Sequence, residues 1–258
     1  MTDVTGLPAV ARPLEAEANR TFEWFVRPAP VTRLLFAVTI VLTALNLIAQ
    51  VAVFFLPDFM LRDWFVYRFD VNREANIPTA FSGVLLLLAT VLLGVIAHLK
   101  RRSRDAFALH WRVLTFVMGY LFLDEVAQLH DSLSEPLVRV SHLGGVLKYA
   151  WVVPYALLVV GLLLGLWRFL AHLPPRTLRA FLVAGGIYVM GALGLEVVEA
   201  WVNAVAGRVT FAEMMVVSVE ELLEMSGVVL FIGALIHYLN VTDLTLKFRA
   251  DPLRTRRP

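Results

Sequence analysis

Six apolar runs, each about as long as a bilayer is thick, leave this chain few folds to choose from. They fall at about residues 32–56, 78–98, 109–130, 148–171, 178–203 and 214–238. Roughly 20 helical residues cross ~30 Å of hydrocarbon. In lipid every backbone polar group must be satisfied internally, which favours helices. The expected fold class is therefore all-α, an integral membrane bundle of about six transmembrane helices. The third run is the least apolar, its uninterrupted part extending only from Val113 to Leu123. Composition agrees: 59% of residues are hydrophobic and 17% charged, against about a quarter charged in a soluble domain. The surplus apolar surface names the lipid bilayer as a partner.

Several chemistries are removed at once. With no cysteine in the chain there are no disulfides, thiolate metal sites, thiol nucleophiles or covalently attached c-type haem. The basic residues form short clusters between apolar runs, a topology signal, and with a net charge of +2 nothing points to nucleic acid. Walker A, G-x-S-x-G, H-E-x-x-H and G-x-G-x-x-G patterns do not occur in the sequence, so none of these motifs assigns a function or a cofactor.

Orientation follows from the basic clusters. Lys100, Arg101, Arg102 and Arg104 occupy one connection, and Arg168, Arg176 and Arg179 another; Lys247, Arg249, Arg254, Arg256 and Arg257 lie in the tail. The alternate connections are poorer in basic residues or mix them with Asp58, Asp63, Asp70 and Glu74. The positive-inside rule then places both termini in the cytoplasm. Residues 1–31 read as a cytoplasmic N-terminal segment with no signal-peptide pattern, 32–240 as the transmembrane domain and 241–258 as a basic cytoplasmic tail. The chain is expected to cross its membrane several times.

Three of the runs are interrupted by acids. The third contains Asp124, Glu125 and His130, with Asp131 just beyond, in LFLDEVAQLHD. The fifth contains Glu196 and Glu199 in LGLEVVEAWVN, and the sixth Glu220, Glu221 and Glu224 in VSVEELLEMSG. An ionised side chain at mid-bilayer costs at least ~2.5–3.5 kcal/mol. Such a set needs a shared polar interior, a bound cation or shared protons. Counting residues along each run places all three acidic stripes in the outer third of the membrane, level with Asn46, Gln50 and Ser82. Asp124, Gln128 and Asp131 share one helical face at i, i+4, i+7, as do Glu196, Glu199 and Asn203 at i, i+3, i+7. Glu125 and His130 lie off the first of these lines.

Carboxylates and a histidine projecting into a bundle suit a divalent cation. The candidate metal ligands are Asp124, Glu125, His130, Glu196, Glu199, Glu220, Glu221 and Glu224, and iron, manganese, zinc and calcium all fit the ligand types. Plainer roles compete. His130 and Asp131 also fit a solvated helix end, Glu199 and Glu220 could face headgroups, and the deeper acids could form a hydrogen-bonded network between helices. Trp111, Trp151, Trp167 and Trp201 read as interfacial belt residues, and Gly185, Gly186, Gly191 and Gly194 as close-packing positions.

The stretches LDEVAQLHD, YVMGALGLEVVE and VEELLEMSGVVLFIGALIHYL resemble a family of uncharacterised bacterial multi-pass membrane proteins, over about residues 115–240. The resemblance implies a bacterial multi-pass protein, with a bacterial cytoplasmic (inner) membrane as its expected localisation, and carries no mechanism. The positions matching its acidic motifs are Asp124, Glu125, His130, Glu196, Glu220, Glu221 and Glu224, while Asp131 stands where Glu is the family's habit. Three functions remain open: a cation-binding membrane protein, extending to a metal-dependent enzyme; a small proton- or cation-coupled transporter; and an accessory subunit whose acids are structural.

Overall fold

The computed structural model describes residues 26–73, 75–129, 132, 151–207 and 209–242. His130 and Asp131, the basic residues of the tail, and residues 1–25 lie outside that set. Among the described residues the chain is wholly helical, with seven helices: α1 (Pro28–Phe55), α2 (Arg62–Phe69), α3 (Ile77–Arg102), α4 (Ala108–Ala127), α5 (Val152–His172), α6 (Pro175–Ala206) and α7 (Phe211–Val241). Five of them, α1, α3, α5, α6 and α7, are long and apolar enough to cross a membrane. Helix α4, which corresponds to the third run, is 20 residues long and carries Arg112, Asp124 and Glu125, which sets it apart from the five. The eight-residue α2 was not foreseen from the apolar runs.

Local sequence explains where the helices begin and end. Pro28, Pro78 and Pro175 occupy first-turn positions, where a missing N–H is harmless. The Asn76 side chain caps α3 by accepting from the Thr79 amide at 3.0 Å. Thr210 and Glu213 form a capping box at the start of α7. Gly207, at φ +62°, supplies the left-handed residue that closes α6. Gln128 does the same for α4 at φ 55°, so the Asp124–Gln128–Asp131 face expected from spacing is broken at Gln128.

The helices pack as antiparallel neighbours. A Cβ on Gly83 would lie 3.3 Å from Val126, one on Gly94 3.7 Å from Thr115, and Gly119 faces Thr90 at 3.5 Å. These contacts run α4 alongside α3 over most of its length. The turn between them is pinned by Asp105, which accepts from Lys100 Nζ at 2.9 Å and from the Phe107 amide at 2.8 Å. Burial alone would lift the Asp105 carboxyl; those two bonds outweigh it and hold its pKa below the ordinary aspartate value. At the same end, Trp111 of α4 packs edge-on against Phe169 of α5 and Phe181 of α6, and lies against Tyr238 of α7.

Helix α7 is the centre of the bundle, packed against α1, α3 and α6. Its residues Met225, Val229, Ile232 and Leu235 are fully buried with Leu85, Leu86, Leu93 and Ile96 of α3. Helix α1 runs antiparallel to α7: Phe54 and Phe55 meet Phe211 edge-on, Asn46 bonds Ser218, and Gly233 faces Thr32. Leu157, Leu158, Leu164 and Trp167 of α5, and Leu34, Ile40 and Ile48 of α1, point outward, as lipid-facing side chains do.

The tightest contact is between α6 and α7. A Cβ on Gly227 would lie 2.8 Å from the Tyr188 amide nitrogen and 2.9 Å from the Ala184 carbonyl oxygen. A Cβ on Gly191 would lie 2.9 Å from the Glu220 carbonyl oxygen. Gly191 is thus a close-packing residue, as expected, whereas Gly185 and Gly186 have nothing within 4 Å, and Gly194 meets only Met190 of its own helix. Gly227→Ala should destabilise the protein by about 1–3 kcal/mol through overpacking against backbone. Gly185→Ala should leave stability unchanged or slightly higher. Thermal unfolding in mild detergent distinguishes them, and equal melting temperatures would refute the contact.

Candidate functional site

Helix α6 is not a plain α-helix. Between Met190 and Leu195 it widens into a π-helical turn, directly before Glu196. A wide turn accommodates an extra residue, which turns everything after it by about 100° relative to an unbroken helix. The widened segment lies where Gly191 touches the α7 backbone at Glu220 and Glu224. Beyond it, Glu196 and Glu199 stand one turn apart and are largely buried.

Those two carboxylates meet Glu220 of α7. One oxygen from each of Glu196, Glu199 and Glu220 lies within 4.8 Å of the other two. Glu196 stands ten residues before the end of α6 and Glu220 nine residues after the start of α7, so both lie ~14–15 Å from the joined end of the hairpin. Glu220 is 7% exposed, and its Oε2 has no hydrogen-bond partner among the described residues. If all three were ionised, each pair would repel by about 3 kcal/mol at an effective dielectric of about 20. The arrangement calls for protons or a cation to offset that repulsion.

The remaining acids surround this triad on its α4 side. Glu224 lies within electrostatic reach of Glu221, Glu125, Glu196 and Asp124. Tyr188 of α6 lies within reach of Glu224, Glu125, Asp124 and Glu221. Asp124 is buried and accepts from the Tyr155 hydroxyl at 3.2 Å, and the Tyr155 and Tyr120 hydroxyls touch each other. The structure therefore brings seven of the eight candidate residues into one region between α4, α6 and α7: Asp124, Glu125, Glu196, Glu199, Glu220, Glu221 and Glu224. The eighth, His130, lies outside the described residues, as does Asp131.

Tyr120, Tyr155 and Tyr188 were not singled out as site residues from sequence; a tyrosine inside an apolar run was the available signal. Asn203, placed by spacing on the Glu196–Glu199 face, instead donates to Glu213 Oε1 at 2.6 Å and supports the α7 cap. Asn46 and Gln50 belong to a separate network. Asn46 Nδ2 donates to Ser218 Oγ at 2.7 Å, Gln50 Nε2 to Asp70 Oδ1 at 2.7 Å, and the Val71 amide to Asn46 Oδ1 at 3.1 Å. Arg73 closes it with a 3.2 Å contact to Asp70 Oδ2. Here the polar groups have partners, as buried polar groups in structural networks do; Glu220 Oε2 does not.

Fold and site together define a multi-pass, all-α membrane protein with a buried carboxylate triad. Residues 34–238 match the model of the family described as Domain of unknown function (DUF8692), and the chain belongs to that family. No curated protein and no solved structure matches the chain.

The two kinds of buried acid should respond differently to substitution. Glu213 accepts from Asn203 and from the Thr210 amide, so Glu213→Ala should cost about 1–2 kcal/mol through the lost cap. Glu220→Gln keeps the side chain's size and takes a carboxylate out of a crowded acidic set, and should leave the melting temperature of chelator-treated protein equal or higher. A drop as large as that of Glu213→Ala would make Glu220 a structural residue.

Proposed function

We propose that this protein binds a divalent cation within the membrane, through Glu196, Glu199 and Glu220. The observation that carries the reading is the triad itself, with its unbonded Glu220 Oε2. Three oxygens held ~2.0–2.6 Å from one ion lie at most about 5 Å apart, which the 4.8 Å spread satisfies. An all-carboxylate set suits manganese or calcium better than zinc. Glu224, Glu221, Glu125 and Asp124 add negative potential around it, and Tyr155 orients Asp124. A metal-dependent reaction on a lipid-phase substrate is the natural use of such a centre near one face of the bundle.

The membrane arrangement we propose has α4 as a sixth crossing, both termini on the cytoplasmic side of a bacterial inner membrane, and residues 32–240 as the membrane domain. Support comes from α4 lying antiparallel along α3 and from basic residues at every second connection. That orientation places the triad nearer the periplasmic face. A transporter would need a polar route onward to the other face. Instead, Val228, Val229, Ile232, Leu235 and Ile236 of α7 are buried against Leu93 and Ile96, which favours binding over transport.

The test is metal content of the full-length protein in mild detergent after reloading with manganese, iron, zinc or calcium. Stoichiometric manganese or calcium is expected, with loss in Glu199→Gln and Glu220→Gln variants that keep the native melting temperature. Metal absent from the reloaded native protein, or retained undiminished in both variants, would overturn the reading.

A further inference from the structure

The segment between α1 and α3 carries a surface that the cation site does not use. Phe59, Met60 and Leu61 are three consecutive apolar residues, all exposed, and they lead into α2, where Trp64 and Tyr67 are exposed too. Met60 is 94% exposed and Trp64 58%. In water such a run would be an aggregation hazard.

Its depth can be read from hydrogen bonds. Helix α1 has 28 residues, ~42 Å, more than the ~30 Å of hydrocarbon. Twenty apolar-facing residues counted from Leu34, just past Arg33, end near Val53. The chain leaves α1 at Phe55, turns at Pro57, and then comes back. At the far end of α2, Asp70 accepts from Gln50, and the Val71 amide donates to Asn46. Gln50 and Asn46 lie five and nine residues before Phe55, ~7 and ~13 Å below the end of α1. Asp70 and Val71 are therefore at hydrocarbon depth, tolerated there because their polar groups are bonded. Phe211, at the start of α7, packs on Phe54 and Phe55 and marks the same level.

We infer that residues 57–69 form an interfacial wedge seated in the phospholipid leaflet on the carboxylate side of the bundle. Phe59, Met60 and Leu61 enter the acyl boundary and continue the lipid-facing surface of Phe55 and Leu56. Trp64 and Tyr67 sit at headgroup level, where such rings collect. The charges fit the same placement. Arg62 is tied to Asp58 at 3.3 Å and to Asp63 at 3.4 Å. Exposed Arg68 lies 6.0 Å from the Trp64 ring, available to a lipid phosphate. The Asn46–Gln50–Asp70–Ser218 network holds the wedge at this depth.

Because the chain has no cysteine, a single introduced one reports one position. Met60→Cys and Leu61→Cys, each spin-labelled in the full-length protein, are reconstituted into phosphatidylethanolamine–phosphatidylglycerol vesicles. Leu164→Cys on lipid-facing α5 and Arg102→Cys at the end of α3 serve as lipid and water references. Power-saturation with oxygen and with a water-soluble nickel chelate should give both wedge labels an oxygen-to-nickel ratio close to that at position 164 and several-fold above that at position 102. A ratio like that at position 102 would place α2 in water and overturn the proposal. An immobilised label shielded from both agents would overturn it too, showing that protein, not lipid, covers the surface. Neither readout depends on a cation, so the wedge can fail while the cation site stands, and the reverse.

Discussion

The contact on which the rest depends is the approach of α6 to α7 backbone against backbone. With Gly191 and Gly227 in the crossing, no side chain separates the two helices. Carboxylates on neighbouring helices can share a site only if their axes are close or their side chains fully extended. Here the axes are close, so Glu196, Glu199 and Glu220 converge within 4.8 Å. The same closeness requires the widened turn at Met190–Leu195. It lets α6 keep pressing its small residue on α7 while the following turn swings its acids inward. The van der Waals contact between glycine and backbone, and the electrostatic conflict among acids, are one piece of geometry.

Polar groups inside the bundle divide by whether they are satisfied. The Asn46–Ser218–Gln50–Asp70 network pairs donors with acceptors and ties α1, the α2 segment and α7 together. Asn203 and Glu213 do the same at the tip of the α6–α7 hairpin. Satisfied networks of this sort stiffen a structure in lipid, where unpaired groups are expensive. The triad lies just beyond both networks along α7 and gathers carboxyl groups, with one oxygen unbonded among the described residues. A fold that holds such a set in place does so with stability drawn from elsewhere, and here two well-bonded networks stand next to it on the same helix. That is the usual relation between a strained site and its supports.

Much of this was legible in the sequence. Apolar run length gives the helices to within a few residues, because lipid thickness and helix rise set the scale. Acids in three runs announce a shared polar interior, because isolated ones would be too costly, and seven of the eight candidates do lie together. Three things were hidden. The π turn follows from tertiary contact at Gly191, and helical spacing assumes an unbroken 3.6-residue repeat. The end of α4 at Gln128 depends on a left-handed residue, which i, i+4, i+7 counting cannot anticipate. The role of Asn46 and Gln50 depended on Asp70, twenty residues beyond Gln50 in a loop. Depth put them near the acids, but only pairing shows that they serve the fold.

The bundle is polarised along its axis. At one end, Trp111, Phe169, Phe181 and Tyr238 interlock across four helices, and the α3–α4 turn is clamped by Lys100 and Asp105. Between that aromatic plug and the acids, α3 and α7 meet through Leu85, Leu93, Ile96, Val229 and Ile232 with no polar side chain interposed among these residues. An ion bound at Glu220, as proposed, would face a low-dielectric wall on one side, where moving inward would mean losing every ligand. On the other side, ~14 Å of helix ends in the capped α6–α7 turn. On the proposed reading, an ion would reach and leave the site from that end. Such one-sidedness suits a centre that holds an ion for use at a membrane surface, since conduction requires comparable wells along a continuous path.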